Sequence, residues 1–355
     1  MIEVDNIVKT YGERIAVDHL SFKLEKGKIY GFLGPNGAGK TTTMNIMTGY
    51  IAANEGTVKI NDFDILKQPE EAKESIGYLP EIPPLYTEMT VMEYLKFVAE
   101  LKKVPKKDRR DQIARILKLT MLGDYGDRMI HNLSKGYRQR VGLAQALIGM
   151  PEVIILDEPT VGLDPQQIIE IRNLIKSLKD NHIVVLSSHI LSEVNEVCDE
   201  VMIISHGKLV ASGTPLELEK QFSGNAIVKL NIIGSEGVIK GALVGVNNIK
   251  NISISSLGDD GSAKVTVETN TKDDIRTDIA KALAVAGLPV LSMDIEKKTL
   301  EDVFLTVTQE TPGALAKRKK KEKKMEVKTD DFGKENNAEN SESNESSDEP
   351  KEDEK

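Results

Sequence analysis

Short runs of β-branched and apolar residues recur along the first two thirds of the chain, at 28–33, 57–60, 153–156, 183–187 and 201–205. Between them lie longer stretches with apolar residues three and four apart, such as Ile168, Ile171, Leu174, Ile175 and Leu178. Helical side chains return to one face every 3.6 positions, whereas a strand apolar at every position suits a sheet covered on both sides. The alternation predicts an α/β core with a largely parallel sheet over residues 1–222. Residues 85–150 interrupt it with helical spacing: first Val91, Leu95 and Val98, then Ile113, Ile116, Leu117 and Leu119. These positions predict an inserted helical subdomain. After Gly224 the texture changes, with strand-like alternation at 227–233 and 264–267, helical spacing at 272–286 and another strand at 290–295. Leu300, Val303, Phe304 and Val307 then fall at i, i+3, i+4 and i+7. A small α+β accessory domain is expected over 223–312.

Composition adds a third region. Residues 317–324 hold seven basic residues and one acid, and 326–355 hold twelve acids and four bases. With almost nothing apolar to offset chain entropy, 313–355 is expected to be a disordered charged tail. The chain of 355 residues carries a net charge of -9, most of it in residues 1–316, which argues against nucleic acid as a partner. No window nears the roughly 18 apolar residues of a spanning helix, and the first residues lack the pattern of a signal peptide. The single cysteine, Cys198, fits a reducing cytoplasm and is expected to pack on a helix face. His19, His131, His182 and His206 show no metal-ligand spacing.

The chemistry starts at Gly34-Pro35-Asn36-Gly37-Ala38-Gly39-Lys40-Thr41-Thr42, which fits G-x-x-x-x-G-K-[ST] between an apolar strand and a helical run. Glycines let successive backbone N–H groups turn toward a phosphate, and the helix N-terminus adds positive potential. Lys40 is placed to reach the β- and γ-phosphates, Thr41 to ligate Mg²⁺ and Thr42 to bond an α-phosphate oxygen. Val153-Ile154-Ile155-Leu156-Asp157-Glu158 is an apolar strand ending in two acids. A doubly buried strand has no structural need for them, but a magnesium-nucleotide site does: Asp157 for a metal-bound water and Glu158 as general base. Ser187-Ser188-His189 ends another strand and places His189 near the γ-phosphate. Ser134 reads as the N-cap of a helix containing Val141, Ala144, Gln145 and Ile148.

Taken in order, the phosphate loop at 34–42, Leu133-Ser134-Lys135-Gly136-Tyr137, the acids at 157 and 158, Gly162-Leu163-Asp164 and His189 resemble the ATP-binding cassette family over residues 1 to about 220. The resemblance implies a phosphate-loop ATPase fold using ATP and Mg²⁺, in which two cassettes dimerise head to tail. Ser134, Lys135, Gly136 and Tyr137 of one would then act in trans on the nucleotide of the other. Asp164 would link the two sites, and Tyr11 would stack on adenine. A homodimer or paired cassette, driving a separately encoded transmembrane permease from the cytoplasmic face of the membrane, is the expected assembly.

Two positions depart from the common family pattern. Glu81, in Tyr78-Leu79-Pro80-Glu81, stands where glutamine is usual, and Lys135-Gly136-Tyr137 stands for Gly-Gly-Gln. Both departures are similar to the bacitracin, multidrug, gliding and polysaccharide-export branch, as is Leu300-Glu301-Asp302-Val303-Phe304-Leu305. Glu81 can still accept hydrogen bonds from magnesium water. The apolar run Ile82, Pro83, Pro84, Leu85, Tyr86, Met89 and Met92 is a candidate dock for a short helix of the permease. The alternative assignments are a soluble cassette ATPase serving as an assembly factor, or one remodelling nucleic acid or ribosomes.

Overall fold

The structure is a computed structural model and describes residues 1–222, 225–257, 261–271, 273–296 and 300–309. The expected charged tail at 313–355 lies outside the described residues. Two compact units divide the chain, Met1–Thr306 and Val307–Lys355; of the second, the last residues of helix Leu300–Gln309 are described.

The centre of the first unit is a six-stranded sheet. Its order is Lys208–Gly213, Glu200–Ser205, Ile29–Leu33, Ile183–Ser188, Val153–Asp157 and Ile76–Leu79. Every pair is parallel except the antiparallel edge made by Lys208–Gly213. Ile29–Leu33 and Val153–Asp157 are buried at every position, as the apolar runs at 29–33 and 153–156 require. Each fully buried large side chain here, such as Phe32 or Ile155, contributes about 1.5–3 kcal/mol of transfer free energy. The run at 57–60 belongs elsewhere. Glu55–Ile60 joins Arg14–Leu24, Ile2–Tyr11 and Phe63–Asp64 in a separate antiparallel sheet. Alternating burial in Glu55–Ile60, where Val58 and Ile60 point inward and Thr57 and Lys59 outward, is the signature of a sheet covered on one face. Phe22 of this sheet meets Phe32 of the parallel sheet edge-on, at a 5.3 Å centroid distance, and both sheets share one apolar core.

Helices Val91–Leu101, Lys106–Leu119 and Lys135–Leu147 account for the helical insertion. The first is fixed by a reciprocal cap: Glu93 N–H donates to Thr90 Oγ1 while Thr90 N–H donates to Glu93 Oε2. Cys198 is buried as expected but not on a helix face: it is the extended residue that ends helix Leu191–Val197, packed against Gly31.

Beyond residue 226, strand Ile227–Ile233, helix Glu236–Val244, strand Ile249–Leu257, strand Ser262–Thr269, helix Arg276–Val285 and strand Val290–Glu296 follow in order. The strands form an antiparallel sheet with the last strand beside the first and the third between first and second. This βαββαβ arrangement is the ferredoxin-like split βαβ. Val228, Leu230, Ile232, Val265 and Val267 face Ile239, Leu243, Ile279 and Leu283 in a core of their own.

Candidate nucleotide site

The loop between Leu33 and Lys40 turns sharply because two of its glycines adopt positive φ, Gly37 at 77° and Gly39 at 110°. At Gly39 no other residue fits: a Cβ would sit 2.4 Å from the Ala16 carbonyl oxygen, in a backbone conformation that side chains rarely adopt. Helix Lys40–Met47 starts immediately after, so its first N–H groups face the loop. Lys40 is buried, its ammonium donating to Gly34 O at 2.8 Å and lying 3.8 Å from Glu158 Oε1. Burial pushes the Lys40 pKa down, while the carboxylates of Glu158, Asp157 and Glu81 pull it back up. Pro35 O accepts from Ala38 N–H and closes the base of the loop.

Both predicted acids sit at the C-terminal end of their strand, where open α/β sheets place ligands. Thr41 Oγ1 donates to Asp157 Oδ1 at 3.4 Å. Glu158 is buried and holds φ at 49°, a left-handed conformation costing on the order of 1 kcal/mol in a residue with a side chain. Its Oε2 lies 2.9 Å from His189 Nδ1. Ser187, quoted from the sequence without a role, joins the two acids: its hydroxyl donates to Asp157 Oδ1 and accepts the Glu158 N–H at 2.9 Å.

Tyr11, Asn36, Gly37, Gly39, Lys40, Thr41, Thr42, Glu81, Glu158 and His189 line one cleft of about 460 Å³. Arg14 lines it too, with its guanidinium donating to Gly37 O at 3.3 Å. Nothing in the sequence pattern marks Arg14, because its role depends on a strand of the antiparallel sheet passing beside the phosphate loop. Tyr11 is half exposed, with the Lys9 ammonium 5.5 Å from its ring centre.

Ser134, Lys135, Gly136 and Tyr137 do not line the cleft. Ser134 caps helix Lys135–Leu147 by accepting the Tyr137 N–H. The Tyr137 ring lies 4.1 Å from that of Tyr125. Gly136 makes room for the Gln167 side chain, and the Lys135 side chain lies against Gly162. Asp164, exposed, caps helix Pro165–Leu178 through a 2.9 Å bond from Gln167 N–H. A serine-capped helix N-terminus and the Asp164 turn therefore share one surface patch outside the cleft.

An ABC transporter profile matches residues 17–161. The linearmycin resistance ATP-binding protein of Bacillus subtilis is 30% identical over 312 residues, 88% of this chain and 99% of that protein. The chain belongs to the ABC transporter ATP-binding family. The cassette is also 41% identical to the bacitracin transport ATP-binding protein of Bacillus licheniformis, over 59% of this chain and 68% of the relative. Among solved structures, the ATP-binding subunit of an ABC transporter superposes with a TM-score of 0.59 at 28% identity, covering 62% of this chain and 93% of its own. A dimeric cassette in a post-hydrolysis state with ADP and Pi gives a TM-score of 0.56 at 25% identity, over 60% of this chain and 98% of that one. The cassette is thus an ATP-binding subunit of the kind that serves transporters. Among the described residues no helix is long and apolar enough to cross a membrane.

A second groove, of about 640 Å³, opens beside the cleft and shares Thr41 and Glu81 with it. Ile82 and Pro84 of the proposed docking run line it together with Tyr50, Tyr78, Lys102 and Gln145. Tyr86 of the same run instead packs on Tyr94 and Phe97 of the helical insertion.

Proposed function

We propose that the chain hydrolyses ATP with Mg²⁺ as one half of a cassette dimer and so drives a separate transmembrane permease in export. The observation that carries this reading is the convergence of Lys40, Thr41, Asp157, Glu158 and His189 at the C-terminal edge of the parallel sheet. The donor set fits magnesium: Thr41, Asp157 and Glu81 offer oxygen alone, and among the described residues no cluster of three metal-ligating side chains forms an all-protein cage. Such a site suits an ion held largely by nucleotide phosphates and water, which would neutralise charge on the phosphoryl group. Lys40 and the backbone N–H groups of 34–42 bind the phosphates. Glu158 accepts a proton from the attacking water, and His189 holds the Glu158 carboxylate in place from its Nδ1. Ser134, Lys135, Gly136 and Tyr137 reach a partner's nucleotide from outside their own cleft, at a capped helix N-terminus that favours anions. Asp164, in the same patch, carries the state of one site to the other.

The groove at Ile82 and Pro84 receives the permease, since it adjoins the cleft through Glu81 and leaves Ile82 largely exposed. Transport is what the names of the bacitracin and lantibiotic relatives support; export as its direction rests on the resemblance to the bacitracin, multidrug, gliding and polysaccharide-export branch. The proposed organisation is a cassette at 1–222, an accessory α+β domain at 223–312 and a charged tail at 313–355. Glu158→Gln tests the reading: the variant should still dimerise with ATP, seen by size-exclusion chromatography, with turnover nearly abolished. A wild-type hydrolysis rate in that variant sinks the assignment.

A further inference from the structure

We infer that Glu193 is a positioning residue that ties the loop carrying Glu158 to the loop carrying His189. The inference rests on the proposed hydrolysis at Glu158. Glu193 lies in the first turn of helix Leu191–Val197 and is 4% exposed. A carboxylate removed from water to that degree needs partners, and its Oε2 has two. Thr160 Oγ1 donates to it at 2.7 Å and Ser188 Oγ at 3.1 Å. Thr160 follows Glu158 by two positions and leads into Gly162-Leu163-Asp164; Ser188 immediately precedes His189. The Ser188 hydroxyl also accepts the Ile190 N–H at 3.0 Å, so the backbone on the far side of His189 is held as well.

The other oxygen, Oε1, has no hydrogen-bond partner among the described residues, nor has Arg172 Nε. Arg172 Nη2 stands 3.9 Å from Oε1, while its Nη1 is engaged by Glu196. Arg172 belongs to helix Pro165–Leu178, which Asp164 caps. One buried carboxylate thus touches the turn after the general base, the turn before the histidine and the helix that opens at Asp164. The 2.9 Å contact between His189 and Glu158 depends on those turns keeping their spacing. Glu193 does not line the nucleotide cleft, so it acts through its neighbours.

Thr160→Val and Ser188→Ala each remove one hydroxyl with little change of volume, and Glu193→Ala removes the acceptor. In steady-state ATPase assays on the full chain, each should lower kcat about tenfold, the scale of stranding one buried polar group, with KM for ATP unchanged. Because both hydroxyls serve one oxygen, the Thr160→Val/Ser188→Ala double variant should fall no further than the worse single. In a His189→Ala background, Glu193→Ala should add no loss. Losses that multiply in the double variant, or a further drop in the His189→Ala background, would mark independent packing defects and overturn the inference. Wild-type kcat in Glu193→Ala overturns it while leaving the hydrolytic reading intact; no turnover by the wild-type chain overturns both. Should Glu193→Ala fail to fold, the hydroxyl variants decide alone.

Discussion

Lys102 provides a charge-burial test that is independent of nucleotide. It follows helix Val91–Leu101, lines the groove beside the cleft and donates from Nζ to Ile76 O at 3.1 Å. Burial lowers its pKa from 10.5 to about 8. Below pH 8 the lysine is charged in folded and unfolded chains alike, and the fold carries the full cost of desolvating it. Between about pH 8 and 10.5 the folded chain releases the proton while the unfolded chain keeps it, so stability rises with pH and that cost is relieved. At 1.36 kcal/mol per unit the relief reaches about 2.5 kcal/mol by pH 10. Lys102→Met keeps the length of the side chain and removes the titration. Urea unfolding of both proteins should therefore favour Lys102→Met more at pH 7 than at pH 10, by roughly 2–2.5 kcal/mol. The chain has no tryptophan, so far-UV circular dichroism is the appropriate signal. Other titrating groups cancel in the comparison between the two proteins. An equal difference at both pH values would refute the argument that this ammonium is held out of water.

Gly39→Ala should abolish ATP binding, measured by calorimetry or a fluorescent nucleotide, because its Cβ meets the Ala16 carbonyl at 2.4 Å at φ 110°; unchanged affinity would mean that the loop is not held as described. Ile82→Lys should weaken co-purification with the permease from detergent-solubilised membrane while sparing ATPase of the isolated chain, since 82% of this side chain is exposed. An intact complex would exclude docking at Ile82.

What was legible in the sequence follows from where each signal resides. The phosphate loop, the acids at 157 and 158 and His189 are legible because each stands at or just past the end of a largely apolar strand, where a glycine-rich turn or a charged residue stands out locally. The antiparallel placement of Glu55–Ile60 was not, because sheet partnership is set by contacts with residues 1–24 far away in the chain. In the accessory domain, the strand at 249–257 has its apolar positions Ile252 and Ile254 diluted by serine and asparagine, which hides a strand covered on one face. Ser187 carries no charge or glycine to mark it, and its importance appears when two strand ends lie side by side. Arg14 and Glu193 carry no local mark for the same reason: their contacts, with Gly37 and with Thr160, cross sequence gaps that no local pattern spans.

The cleft is assembled from two sheets. Tyr11 and Arg14 come from the antiparallel sheet, whereas Lys40, Glu158 and His189 follow strands of the parallel one. Under the proposed assignment, Tyr11 meets the base from the antiparallel sheet, which also steadies the phosphate loop through Arg14 on Gly37 O and the Ala16 carbonyl against Gly39. A half-exposed aromatic ring stacks on any purine and offers no edge to read, so base preference can drift by substitutions in one sheet while the hydrolytic groups of the other stay untouched. Under that assignment, a substitution at Tyr11 alters selectivity for the base without altering the groups that cleave the phosphate.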